Sequence, residues 1–417
     1  MRTGKNGYNL QSRYVWKSTG KKTTNNNSKR RRRGRNSQRK MRFTTSSRTL
    51  AERIVMVDKM VAGGKTPMPI LNDIVFDIKG NTLSMTAADI ENRLTTTVEL
   101  TEADGEGCFA IGAKDIMEGV KNLPDQPLTF ETTDGSTVRV VYQGGYFILP
   151  TEDATEFPQL PDLNGETTTT FHIAEGRMQT CIARSLFATA QDELRPVMNG
   201  IYFDLTEETL NIVASDGHQL VRNRLLDIRA EEGKTAAFIL PKKPAALLKG
   251  ILSAGKDDLL SVSFDGRQAR VTGENFDMVC RLIEGRYPNY NSVIPQNNPN
   301  IMIVDRQALT AALKRVNPFA NESSNIVRFH VEKDTLQLDA EDYDFSKTAS
   351  ERLACQYDGQ VMSIGFKGVS LIELLNNIRS EEIRLELADP SRAALLLPAE
   401  QEDGEDMLML RMPVLIS

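Results

Sequence analysis

The sequence predicts an α+β fold made of three similar domains in tandem. Three observations carry this: a strand hairpin that recurs three times at almost constant spacing, an apolar stripe at helical period ahead of each hairpin, and a strand leading into a second helix behind it.

The hairpin is the sharpest signal. Ile74-Val75-Phe76-Asp77-Ile78 precedes Leu83-Ser84-Met85 and Asp89; Ile201-Tyr202-Phe203-Asp204-Leu205 precedes Leu210-Asn211-Ile212 and Asp216; Val327-Arg328-Phe329-His330-Val331 precedes Leu336-Gln337-Leu338 and Asp342. Counted from the central Phe, apolar residues stand at −2, 0, +2, +7 and +9 and an Asp at +13 in every copy, and the copies lie 127 and 126 residues apart. Residues two apart share one face of a strand, and Lys79-Gly80-Asn81, Thr206-Glu207-Glu208 and Glu332-Lys333-Asp334 interrupt the runs as turns do. Each copy is expected to be a β-hairpin with one buried face.

The helices follow from the same register. Leu50, Ile54, Val57 and Val61 form one stripe after a short strand at Arg42-Phe43-Thr44. Met178, Ile182, Ser185 and Leu186 hold the matching place in the second copy, and Leu309, Ala312, Leu313 and Val316 in the third. Behind the hairpins, residues 109–123, 238–252 and 364–378 read as strand then helix, the helices opened by Lys114, Lys243 and Lys367. Phe157-Pro158, Tyr287-Pro288 and Met412-Pro413 mark the ends of the units. Polar, turn-prone linkers near residues 164–170 and 296–300 then divide the chain into domains at 41–166, 167–298 and 299–417.

Composition narrows the function classes. A hydrophobic content of 40% and a charged content of 26% suit a globular protein. No stretch approaches the ~18 uninterrupted apolar residues of a membrane span. Cys108, Cys181, Cys280 and Cys355 lie far apart without a Cys-x-x-Cys pair, so they read as reduced structural thiols of a cytoplasmic protein. Three histidines, His172, His218 and His330, leave little material for acid–base or metal chemistry, and neither metal nor cofactor is expected.

Residues 1–40 stand apart. They hold 14 Lys or Arg and no Asp or Glu, with Lys29-Arg30-Arg31-Arg32-Arg33 as the densest run. The segment has little apolar content and no periodicity, and it reads as disordered. It is open to nonspecific nucleic-acid binding or to reading as an organellar transit peptide. The reading preferred here is that translation starts at Met41. Residues 41–417 carry 37 basic against 56 acidic side chains, a net of −19.

On so acidic a body, helix-borne cations are informative. Arg48, Arg53 and Lys59 flank the first stripe, and Lys114 and Lys121 lie on the second helix. Arg177, Arg184, Lys242, Lys243 and Lys249 follow in the second domain, then Arg306, Lys314, Arg315 and Lys367 in the third. A helix buried on one side is ordinarily charged on the other. The contrast with the acidic body favours a positive surface for duplex DNA, independent of sequence, with Arg48, Lys114, Lys121, Arg184, Lys243, Lys314 and Lys367 as its contacts. Three equal domains also allow two chains to close head to tail into a ring, which would hold DNA by topology with weak phosphate contacts.

Several runs make the resemblance specific. Gly63-Gly64-Lys65-Thr66-Pro67-Met68-Pro69-Ile70-Leu71, Ala214-Ser215-Asp216-Gly217-His218-Gln219-Leu220, Glu284-Gly285-Arg286-Tyr287-Pro288-Asn289-Tyr290 and Met412-Pro413-Val414 resemble segments of the bacterial DNA polymerase III beta subunit family, the sliding clamps. The resemblance spans Met41 to the C-terminus. It implies a non-catalytic processivity factor of DNA replication, a homodimeric ring of six domains with helices lining the hole and sheets outside, in the bacterial cytoplasm on the nucleoid. It implies that Lys65 touches DNA. It also implies a hydrophobic pocket between the second and third domains for short motifs of the polymerase catalytic subunit, the clamp loader, other polymerases and repair proteins. Carried over position by position, the pocket draws Arg195, Met198, Ser215, Gly217, His218 and Leu220 from the middle of the chain. Pro288 and Val293 follow, and Met412, Pro413 and Val414 complete it.

Two departures stand out. Gln219 and Ser292 occupy places where the family often has a basic residue, which implies a less positive rim and a different motif preference. The chain also runs on to Leu415-Ile416-Ser417. Two rival readings are a DNA-free adaptor of the same fold and a hydrolase using Ser215, Asp216 and His218. The second is disfavoured, since close neighbours on a strand end do not fall into a relay and Asp216 belongs to the repeat.

Overall fold

The computed structural model describes residues 40–416, apart from Ala62, Lys65 and residues 133–135. The expectations for the basic tail and for Lys65 lie outside the described residues.

The first unit comprises β1 (Arg42–Ser46), α1 (Ser47–Asp58), β2 (Asp73–Lys79), β3 (Thr82–Ala88), β4 (Asn92–Glu99), β5 (Glu102–Asp104), β6 (Gly107–Gly112), α2 (Ala113–Val120), β7 (Pro127–Thr132), β8 (Thr137–Tyr142) and β9 (Gly145–Pro150). The second comprises β10 (Thr169–Ala174), α3 (Glu175–Leu186), β11 (Gly200–Leu205), β12 (Leu210–Ser215), β13 (Gln219–Leu225), β14 (Ala236–Pro241), α4 (Lys242–Ile251), β15 (Leu259–Phe264), β16 (Gln268–Thr272) and β17 (Phe276–Arg281). The third comprises β18 (Asn300–Asp305), α5 (Arg306–Val316), β19 (Ile326–Glu332), β20 (Thr335–Asp342), β21 (Lys347–Ala354), β22 (Gln356–Tyr357), β23 (Met362–Lys367), α6 (Gly368–Asn376), β24 (Glu382–Leu387), β25 (Ala394–Pro398) and β26 (Glu405–Arg411). The order of elements repeats three times, with the short β5 and β22 as additions.

The hairpins are β2–β3, β11–β12 and β19–β20, and all fifteen apolar positions of the motif are at most 2% exposed. The Asp at +13 turns out to build the next turn. Oδ1 of Asp89 accepts from the amides of Glu91 and Asn92 at 2.8 and 2.7 Å, and Oδ1 of Asp216 from those of His218 and Gln219 at 2.7 and 2.8 Å. Asp342 does the same for Asp344 and Phe345 at 3.1 and 3.4 Å. A short side chain that satisfies two amides in place of backbone carbonyls starts the third strand at a fixed position.

Sheets cross from unit to unit. β17 pairs with β4, giving the eight-stranded order β10-β15-β16-β17-β4-β3-β2-β6. β26 pairs with β13, giving β14-β11-β12-β13-β26-β25-β24-β18-β22. Two partial sheets remain, β5-β1-β7-β8-β9 and β21-β20-β19-β23. Within each unit the two helices pack side by side under the sheets. Leu50, Ile54 and Val57 are fully buried, as are Met178, Ile182 and Ser185. Val61 falls beyond the end of α1, and Leu186 is only half-buried. The predicted linkers are partly strand, because Thr169 and Thr170 pair with Phe264 and Ser263, and Asn300 with Leu387. Partners distant in sequence extend a ladder into segments whose own composition favours turns.

Candidate functional site

Most of the predicted pocket residues converge where β13 meets β26. The outer face of this seam is an apolar cluster that includes Val213, Leu220, Tyr287, Tyr290, Leu395, Leu408 and Leu410. Tyr287 stacks on Tyr202 with centroids 4.6 Å apart, and the Tyr290 hydroxyl donates to Asp204 at 2.7 Å. Burial and the adjacent Asp204 carboxylate raise the Tyr290 hydroxyl above the ordinary phenol range. Met198 and Leu220 are buried, while His218, Pro288, Val293 and Met412 stand exposed around the cluster. The Met412 amide donates to the His218 carbonyl at 2.9 Å, and the Val414 amide to Gly365 at 2.8 Å, so residues 412–414 strap the second unit to the third. Gly217 adopts φ 89°, and a Cβ there would lie 3.2 Å from Nη1 of Arg195, so glycine lets that guanidinium lie against the turn. Arg195 is fixed by Asp192 at 2.8 Å. An apolar floor with a few polar groups at its edge suits the anchoring of an aliphatic or aromatic peptide side chain.

Gln219 corrects an expectation. It is buried, not at a rim, and faces Arg411 across the ladder, whose Nη1 donates to it at 3.4 Å. Strand alternation carried the signal: Leu220 faces outward, so Gln219 faces the helices. Arg411 was missed altogether. It is 5% exposed, and burial lowers its pKa against the attraction of Asp216.

The helix-borne cations divide into groups. Lys114, Lys314 and Lys367 are exposed, with no carboxylate within salt-bridge distance among the described residues. Arg48 pairs with Glu52 at 3.2 Å and Lys121 with Glu118 at 2.6 Å, both at the surface, where such pairs are worth about 0–1 kcal/mol and leave the cations available. Lys243 reaches back to Asp89 of the first unit at 2.5 Å. Burial acts to raise the Asp89 pKa, but the bonds from Lys243 and Asn92 outweigh it and hold the carboxylate below its ordinary range. Arg184 is the second correction. Its side chain is 6% exposed and is held by Glu405 and Glu402, each at 3.0 Å, so its charge is spent inside the seam instead of being offered to a phosphate.

The serine, aspartate and histidine of the hydrolase reading form no relay. The Ser215 hydroxyl donates to the Gln219 carbonyl at 2.8 Å and accepts from the Gly217 amide at 3.1 Å, while Asp216 is occupied by the two turn amides. Among the described residues no group of three His, Cys, Asp or Glu is arranged to hold a metal, and no helix is long and apolar enough to cross a membrane.

Comparison with known proteins gives a consistent result. Residues 41–161 match the model of the DNA polymerase III beta subunit N-terminal domain, residues 172–289 the central domain and residues 291–412 the C-terminal domain. The beta sliding clamp of Pseudomonas putida is 28% identical over 371 residues, covering 88% of this chain and 99% of that protein. The beta sliding clamp of Escherichia coli is 26% identical over 369 residues, covering 88% and 99%. Among solved structures, the Pseudomonas aeruginosa sliding clamp bound to griselimycin superposes with a TM-score of 0.84 at 27% identity, covering 90% of this chain and all of that one.

Proposed function

Since the chain belongs to the DNA polymerase III beta subunit family and is a processivity factor of DNA replication, we propose that two copies close head to tail into a six-domain ring around duplex DNA. One observation carries the closure. The seam between the second and third units is a nine-stranded sheet, in which β14-β11-β12-β13 meets β26-β25-β24-β18-β22. The partial sheets left over are the same two halves: β23-β19-β20-β21 corresponds to the first, and β9-β8-β7-β1-β5 to the second. β21 and β9 are the open edges equivalent to β13 and β26, and an unpaired edge of this kind invites a partner strand. Tyr146 and Ile148 of β9 are exposed apolar side chains at that edge.

Within the ring, Lys114, Lys314 and Lys367 are the free phosphate contacts, with Arg48 and Lys121 available at the cost of a surface pair and Lys243 at the cost of its bond to the largely buried Asp89. Weak, sequence-independent contacts of this kind permit sliding. The seam around Leu220, His218 and Met412 is the docking site for short motifs of polymerases, the clamp loader and repair proteins. Its neutral edge at Ser292 favours motifs chosen by apolar fit. The domains are residues 41–166, 167–298 and 299–417, and the site of action is the bacterial cytoplasm, on the nucleoid.

The test is retention on DNA. The protein is loaded on a nicked circle with its cognate loader and ATP, isolated at raised salt, and half of the sample is linearised. Retention on the circle with release from the cut DNA is the expected result. Retention on both forms means direct binding and removes the ring; loss from both, with the loader's activity and its binding to this protein shown separately, leaves an adaptor that never encircles DNA.

A further inference from the structure

The third repeat contains a cleft at the place that corresponds to the pocket of the second. Counted from the repeat's central Phe, Arg195, Met198, Ser215, Gly217 and His218 stand at −8, −5, +12, +14 and +15 from Phe203. The same positions from Phe329 are Asn321, Ser324, Glu341, Tyr343 and Asp344, and all five line one cleft of about 320 Å³ on the outer face of β19–β20. Its far wall is the end of the chain, Leu415 and Ile416. The backbone frame is shared, but the chemistry is not. Arginine, methionine and histidine are replaced by asparagine, serine and aspartate.

We propose that this cleft is a second peptide-binding site, and that its ligand is a basic segment of a partner protein. Charge complementarity selects the ligand: Asp339, Glu341 and Asp344 line the cleft against the single guanidinium of Arg328. Their hydrogen-bond partners are neutral: Asp339 accepts from Gln337 and Ser350, Glu341 from the Tyr343 hydroxyl and Asp344 from Asn321. Tyr343 is 84% and Leu415 77% exposed. An arginine or lysine would lay its apolar stem along these two side chains and set its head between Glu341 and Asp344. The two halves of the motif therefore divide the labour, one seam taking apolar anchors and one cleft taking cationic ones. This inference rests on the reading of the second repeat as a peptide pocket, and the test separates the two.

A fluorescein-labelled tetra-arginine peptide is titrated with the full-length protein at physiological salt and followed by anisotropy. One saturable site per chain is expected. The isosteric pair Glu341→Gln with Asp344→Asn should weaken it about tenfold through the loss of charge-assisted hydrogen bonds. Arg328→Gln, which removes the opposing cation, should tighten it. The pair Glu231→Gln with Glu232→Gln, on a distant acidic loop, should leave it unchanged. Equal weakening by both acidic pairs would reduce the effect to the field of an acidic body and overturn the site. Weakening by His218→Ala would assign the peptide to the second repeat and also overturn it. Binding of a polymerase motif peptide that is lost in His218→Ala and kept in the Glu341/Asp344 variant supports both readings; motif binding that survives His218→Ala removes the premise, while the tetra-arginine result still stands or falls by itself.

Discussion

At the scale of single residues, buried charge is the main finding. Arg184 and Glu405 face each other at 3.0 Å with side chains 6% and 7% exposed, and Arg177 approaches the same carboxylate at 3.5 Å. Removing one member leaves the other buried with only a more exposed partner, Glu402 for Arg184 and Arg177 for Glu405. Glu405→Gln is expected to cost about 3 kcal/mol in urea unfolding, and Arg184→Gln a similar amount. A loss no greater than that of a surface pair would mean the seam is hydrated. Asp73 offers a pH test. Burial first, then the charges of Glu152 and Asp115, push its carboxyl up to about 6 from 3.8. The folded state favours the proton, so the penalty is full above about pH 6 and disappears as pH falls toward the unfolded value. Asp73→Asn should therefore stabilise the protein at pH 8, by about 1 kcal/mol after allowing for solvent screening, and leave stability near pH 4 almost unchanged.

At the scale of elements, the hairpin is the unit that the sequence spells out. Its fifteen inward positions were readable because strand period and burial agree at every one. Phe329 is fully buried and packs edge-on against Phe366 with centroids 5.3 Å apart. Phe329→Ala should cost about 3–5 kcal/mol in chemical denaturation, from lost transfer energy and the cavity left behind. Gln219 shows where element-level reading fell short. The resemblance of residues 214–220 assigns neighbouring residues to one site, yet alternate residues of β13 point to opposite sides of the sheet. Arg184 failed for a different reason. A helical wheel places it beside an exposed face, but the loop that precedes β26 brings Glu402 over it, and Glu405 follows at the start of that strand.

At the scale of the whole molecule, function follows from edges. Two of the three kinds of seam are closed within one chain, and the third leaves β9 and β21 open. Tyr146→Asp together with Ile148→Asp, both at exposed positions of β9, should convert a dimer into a monomer in light scattering at micromolar concentration, with secondary structure retained. An unchanged mass would place the dimer contact elsewhere.

By itself, the sequence determined three copies of one hairpin-and-helix unit, which faces of those elements are buried, and the family to which the residues of the turns point. These properties are local or periodic, and local order is written in spacing. Only the tertiary structure decided which cations are free and which are consumed, that Gln219 faces Arg411, that residues 412–414 strap one unit to the next, and that the third repeat has a cleft of its own. These depend on residues far apart in sequence meeting in space, as Arg184 meets Glu402, Lys243 meets Asp89, Gln219 meets Arg411 and Met412 meets His218, and such partners are chosen by packing and desolvation that no single segment encodes.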